Sequence, residues 1–315
     1  MSIIEQAARR LDALNRAGID VPWEAAGVEA RDAVAQLARV GTARDAWDPR
    51  ERREAGAGTA EAPCAPSPPA APLDLAHLAT SGLLVPGLEE SALGTDFRRA
   101  KRALLEQVRP ALAARPGSGA VVVVTSAVDG EGRTTCAINL ALSMAMEVDT
   151  SVVLVEADVR RPQVLTRLGL PGGAGLSELL ADPQLPLARA IVPTSLPGLS
   201  VLPAGEPDAR AHERLAGPGM RSLVTQLVGH RPDRIVVVDA PALLRSADAG
   251  ALAALATQVV VVVAAQRTPR AQVRQAFAML DSALPVVALL NHLPAGAASA
   301  EASPGTRAAA RAGAA

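Results

Sequence analysis

The sequence predicts an α/β domain: a mostly parallel sheet between two layers of helices, three layers in all, preceded by a short helical N-terminal region. Three observations predict it. After residue 119, runs of β-branched and aliphatic residues recur, several of them nearly continuous in Val, Leu and Ile, as strands covered on both faces require. Segments with helical spacing separate these runs, the order expected for right-handed crossovers. Three of the strand candidates end in a glycine turn or a carboxylate, and the C-terminal ends of parallel strands are where such sheets hold ligands.

Composition bounds the rest. At 315 residues, 49% of them hydrophobic, the chain has room for one large α/β domain and an appendage. The net charge of −1 argues against a nucleic-acid partner, which calls for a basic excess. Cys64 and Cys136 stand far apart in unlike contexts, which suggests a reducing compartment rather than a disulfide framework. Glu5, Arg9 and Arg10 precede any apolar run, so the start does not read as a signal peptide. The apolar stretch from Val259 to Ala265 is far short of the roughly 20 residues that span a bilayer. The expected location is therefore cytoplasmic. Lys101 is the single lysine and tyrosine is absent, a bias that a GC-rich genome would produce.

In chain order, residues 1–41 form the helical N-terminal region. Ser2 and Glu5 make a capping box, and Ile3, Ile4, Ala7, Ala8, Leu11 and Leu14 recur at helical spacing until Gly18. A second, alanine-rich helix is expected over 22–40. Residues 42–72, rich in Ala, Pro, Gly, Glu and Arg, read as a disordered linker. The main domain is expected over 73–293. It begins with an amphipathic basic helix from Thr95 to Val108 that ends before Pro110. Strands are expected at 120–125, 151–155, 199–202, 234–239, 258–264 and 285–290, with helices at about 134–147, 175–181, 211–229, 247–256 and 269–283. Residues 294–315, rich in Ala, Gly and Ser, read as a disordered tail.

The chemistry gathers at three strand ends. After the first strand comes Ser126-Ala127-Val128-Asp129-Gly130-Glu131-Gly132-Arg133-Thr134-Thr135, opening a helix. This is the layout of a phosphate-binding loop, in which glycines admit close backbone approach and a helix N-terminus meets an anion. The usual pattern is G-x-x-x-x-G-K-[ST]; here Ala127 stands for the first glycine and Arg133 for the lysine. The Thr134 hydroxyl falls where Mg²⁺ is normally held. After the second strand, Glu156 and Asp158 lie two apart in an extended segment and can face one site. A further strand, Ile235-Val236-Val237-Val238, delivers Asp239, an acid of the kind that orients a metal-bound water in phosphate-loop enzymes. The order predicts a P-loop NTPase fold. His77, His212, His230 and His292 lie at unrelated spacings and form no metal-ligand pattern.

Together these stretches resemble the bacterial P-loop tyrosine kinases of exopolysaccharide assembly. The loop is similar to theirs. Val153-Leu154-Val155-Glu156-Ala157-Asp158-Val159-Arg160-Arg161-Pro162 resembles their second acidic motif, and Val236-Val237-Val238-Asp239-Ala240-Pro241 their third. Gly175-Leu176-Ser177-Glu178-Leu179-Leu180, Leu202-Pro203-Ala204-Gly205 and Leu289-Leu290-Asn291 match in order. The start Met1-Ser2-Ile3-Ile4-Glu5 and the helix at 96–102 resemble the exosortase-associated branch.

The resemblance implies ATP and Mg²⁺ as cofactors and a membrane-embedded polysaccharide chain-length regulator as partner. It also implies a homo-oligomeric ring that phosphorylates tyrosines in trans. By the same carry-over, Glu156 is the base and Asp158, Thr134 and Asp239 serve the metal. Gly130, Glu131, Gly132, Arg133, Thr134, Thr135 and Asn291 hold the nucleotide, with Arg133 also at the reacting phosphate. The chain departs from the pattern at Arg133 (for lysine), Glu156 (for aspartate), Thr95 (for a ring-forming glutamate), Ala240 and Ala242. Without a tyrosine it cannot autophosphorylate on tyrosine. Three readings follow: a kinase of exopolysaccharide assembly acting on another protein, a catalytically impaired nucleotide-binding regulator, or a partition-type positioning ATPase. The last usually carries an early loop lysine, which Ser126 to Asp129 lack.

Overall fold

A computed structural model describes residues 70–113, 119–208, 210–229, 231 and 233–293. The expected N-terminal helices, all of the linker before residue 70 and the tail from 294 lie outside the described residues. Seven strands form one sheet: β1 (Ala120–Ser126), β2 (Ser151–Glu156), β3 (Val192–Pro193), β4 (Leu199–Leu202), β5 (Arg234–Asp239), β6 (Gln258–Ala264) and β7 (Val286–Asn291). Their order is β3-β4-β2-β5-β1-β6-β7, parallel throughout except for the short β3–β4 pair. This is the α/β sheet that the sequence predicts.

β1 is one of the three central strands and is buried at every position because both faces are covered. Val122 and Val124 face one apolar cluster with Ile138, Leu140 and Leu142, while Val121 and Val123 face another with Met220, Leu223 and Leu227. The period-2 alternation of a strand divides one valine run between two helical layers. Truncating a fully buried side chain such as Leu154 would cost about 2–5 kcal/mol through lost transfer energy and a cavity.

The helices of these layers are α1 (Leu75–Thr80), α2 (Ala92–Ala113), α3 (Arg133–Ala145), α4 (Val164–Leu168), α5 (Leu176–Ala181), α6 (Ala211–Leu215), α7 (Pro218–Val228), α8 (Ala247–Ala253) and α9 (Arg270–Ala278). Two expectations need correction. The helix expected over 211–229 is two helices, because Gly217 is extended at the N-cap and Pro218 starts afresh at N1, where its missing N–H costs nothing. α2 runs past Pro110 to Ala113 rather than ending before it, since a proline removes one helical N–H without forbidding the turns on either side. The short helices α1 and α4 and strand β3 are additions. Just before the expected domain start at 73, Ala71 bridges to Thr194 and donates its N–H to the Pro193 carbonyl at 2.8 Å.

Lys101 of α2 is buried against α3, donating to the Ser143 carbonyl at 3.1 Å and pairing with Glu147. Among the described residues no helix is long and apolar enough to cross a membrane.

Candidate functional site

Register brings the acids together. In the β2–β5 ladder Glu156 stands directly opposite Asp239, and Val124 of β1 stands opposite Asp239 from the other side. The three central strands therefore deliver the loop, Glu156 and Asp239 to one end of the sheet, with Asp158 two residues beyond Glu156.

The loop owes its shape to its glycines and to a buried acid. Gly130 and Gly132 adopt positive φ of 83° and 85°, the left-handed region that glycine enters at no steric cost. Gly132 is the N-cap of α3, and a Cβ there would overlap the side-chain amide of Asn291. Glu131 is buried and spans the loop base. Its carboxylate accepts from the Val128 N–H at 2.8 Å, the Ala264 N–H at 3.1 Å and the Thr268 hydroxyl. Asn291, at the end of β7, donates to the Glu131 carbonyl at 2.9 Å. Neither Glu131 nor Asn291 lines the cleft above the loop; both fasten the loop to the ends of β6 and β7.

That cleft has a volume of about 330 Å³ and is lined by Gly130, Gly132, Arg133, Thr134, Thr135 and Asp158 from the predicted set. The first-turn N–H groups of α3 have no intrahelical acceptor and carry the positive end of the helix dipole. The cleft also holds residues that sequence reasoning passed over: Asp129, Arg161, Gln163, Arg167 and His292. Arg161 pairs with Asp129 at 3.0 Å. Arg167 donates to Thr135 Oγ1 at 3.0 Å and to Gln163 Oε1 at 3.0 and 3.1 Å. Arg161 was visible in the Arg160-Arg161-Pro162 run. Arg167 comes from α4, a helix too short for periodicity to reveal.

Beneath the loop, Arg133 lies between two acids. Its Nε donates to Asp239 Oδ1 at 3.2 Å, and its Nη2 pairs with Asp158. The side chains are 10% exposed for Arg133 and Asp158 and 1% for Asp239. Burial pushes the Asp239 carboxyl up to about 6, partly opposed by the Arg133 charge and by a hydrogen bond from the Thr134 hydroxyl. Removing one acid would leave a buried guanidinium short of a partner, a change that typically costs about 3–5 kcal/mol.

Glu156 is engaged differently. One carboxylate oxygen accepts from the Gln163 and Val164 N–H groups, the latter at 2.7 Å, and the other accepts from the Ala204 N–H at 3.3 Å. It thereby caps α4 and ties β2 to the chain after β4. Burial pushes its carboxyl above the usual range, against these N–H groups, which favour the charged form. A second cavity of about 190 Å³, lined by Glu156, Gly172, Gly173, Pro203 and Gly205, adjoins the first through Gln163.

No protein-family model matches the chain. Individual proteins do. It is 31% identical to the tyrosine-protein kinase YwqD of Bacillus subtilis over 155 residues, 49% of this chain and 64% of that one. It is 32% identical to the succinoglycan biosynthesis transport protein ExoP of Rhizobium meliloti over 158 residues, 49% of this chain but 20% of the relative. The chain thus spans less than two thirds of either. Among solved structures, the VpsO kinase domain is 31% identical with a TM-score of 0.51, and the match covers 56% of this chain and 86% of that domain. Sequence, fold and the arrangement of loop and acids agree: the chain belongs to the bacterial P-loop tyrosine kinase family of exopolysaccharide assembly.

Proposed function

We propose that the chain is a nucleotide-binding regulator of exopolysaccharide assembly in which phosphoryl transfer is impaired. The observation that carries this reading is the cleft over the N-terminus of α3, where the loop, Arg133, Arg161 and Arg167 converge. Backbone N–H groups, a helix dipole and guanidinium forks are what an oligophosphate needs. ATP or ADP would be held through Gly130, Gly132, Arg133, Thr134 and Thr135, with Arg161 and Arg167 at the rim.

Impairment follows from what the acids already do. Both oxygens of Glu156 accept backbone N–H groups, so the residue that the family resemblance casts as base serves α4 instead. The chain has no tyrosine to receive a phosphoryl group. Binding without turnover suits a subunit that reports nucleotide state to a partner. ExoP, in which the matching stretch is a fifth of a transport protein, supports placing this chain beside a membrane-embedded chain-length regulator at the cytoplasmic face. The exosortase-associated branch, suggested by the Met1-to-Glu5 start and the helix at 96–102, is part of the same proposal.

One observation favours a second reading, a kinase acting in trans: the cavity beside Glu156 adjoins the cleft and could admit a hydroxyl. Incubation with γ-labelled ATP and a tyrosine-bearing kinase of the same family, kinase-dead so that it only accepts, separates the two. The expected result is label at background with wild type. Rapid labelling of the acceptor would overturn the impaired reading in favour of the kinase.

A further inference from the structure

The residues that would hold a divalent cation in this family are Thr134, Asp158 and Asp239, and both acids are already committed. Asp158 pairs with Arg133 Nη2, and Asp239 accepts from Arg133 Nε at 3.2 Å. Coordination through either acid would first have to pull it from a guanidinium that is itself only 10% exposed. These residues, as they stand, do not fit a metal.

We infer that the Arg133 guanidinium takes the place of the divalent cation, so that the cleft binds a nucleoside di- or triphosphate without a metal. The inference rests on the nucleotide-binding reading above. A guanidinium has five N–H donors in a planar fork, and the two acids use one each. The charge that a metal would bring to the phosphates is therefore built into the loop, on the residue that opens α3. Arg167, held by the neutral partners Thr135 and Gln163, adds a second cation at the cleft. A lysine at 133 would be a point charge on a flexible stem and could not bridge both acids in this way. It would free at least one of them for a metal.

The test is equilibrium titration of the full chain with N-methylanthraniloyl-ADP and with ATP, once in excess EDTA and once in excess Mg²⁺, for wild type and Arg133→Lys. Wild type is expected to bind with affinities within about threefold of each other in the two buffers, and Arg133→Lys to bind about tenfold or more weakly in EDTA than in Mg²⁺. Wild-type binding that is strong in Mg²⁺ and lost in EDTA overturns the inference and leaves the nucleotide reading standing. No binding in either buffer overturns both. The wild-type comparison decides the matter even if the variant does not fold.

Discussion

Asp239 ends an apolar strand, is wholly buried and still carries an acid, so its ionisation is coupled to folding. With its carboxyl pushed up to about 6 in the folded state, the folded chain binds its proton more tightly than the unfolded chain does. The resulting stabilisation is fully present below about pH 4, the ordinary range of an aspartate, and is lost as the pH rises through about 6. Asp239→Asn cannot titrate there. Its stability relative to wild type should therefore rise by roughly 2–3 kcal/mol between pH 4 and pH 8, measured by urea unfolding. A flat difference would mean that Arg133 cancels the burial. Cys136, on the first turns of α3, is pushed up to about 12, chiefly by burial. Only a thiolate reacts readily, so iodoacetamide at pH 8 should leave Cys136 unmodified in the native chain and modify it after unfolding, as read by peptide mass.

At the scale of elements, the loop is held from behind. Gly132→Ala would force a left-handed residue to carry a Cβ, roughly 1–2 kcal/mol by itself, and would drive it into Asn291. Adding Asn291→Ala should recover the steric part of the loss in thermal melts but not the backbone part. α2 and α3 are joined by the one lysine of the chain. Glu147→Ala leaves that ammonium buried without its carboxylate and should destabilise by about 1–2 kcal/mol, whereas Lys101→Met should be near neutral in chemical unfolding. Most of this architecture was readable in advance, because Val-rich strands and a glycine turn are local signals. The six long strands and the loop fall at or within a residue of their expected positions. What the pattern did not show was tertiary. Position alone proposes Glu131 and Asn291 as nucleotide contacts, and the folded chain adds their bonds to Ala264, Thr268 and the loop backbone, which no local pattern reveals. Likewise α4 is too short to announce itself, which hid Arg167.

Across the whole molecule, one sheet sorts its residues by depth. Its middle is aliphatic on both faces, and its polar groups collect at the ends of β1, β2 and β5. Parallel strands make that segregation natural, because every β-to-α connection leaves on the same side. In this chain the acids at those ends are spent on internal bonds: Glu156 on backbone N–H groups, Asp158 and Asp239 on Arg133. The arginines remain at the cleft. On the proposed reading, the molecule keeps the half of the site that recognises phosphate and has redirected the half that would act on it. Calorimetric titration of ATP into the purified chain tests this most directly. The predicted result is saturable one-site binding that weakens about tenfold or more in Arg167→Ala. An absence of saturable binding, or binding that survives Gly132→Ala and Arg167→Ala together, would contradict it.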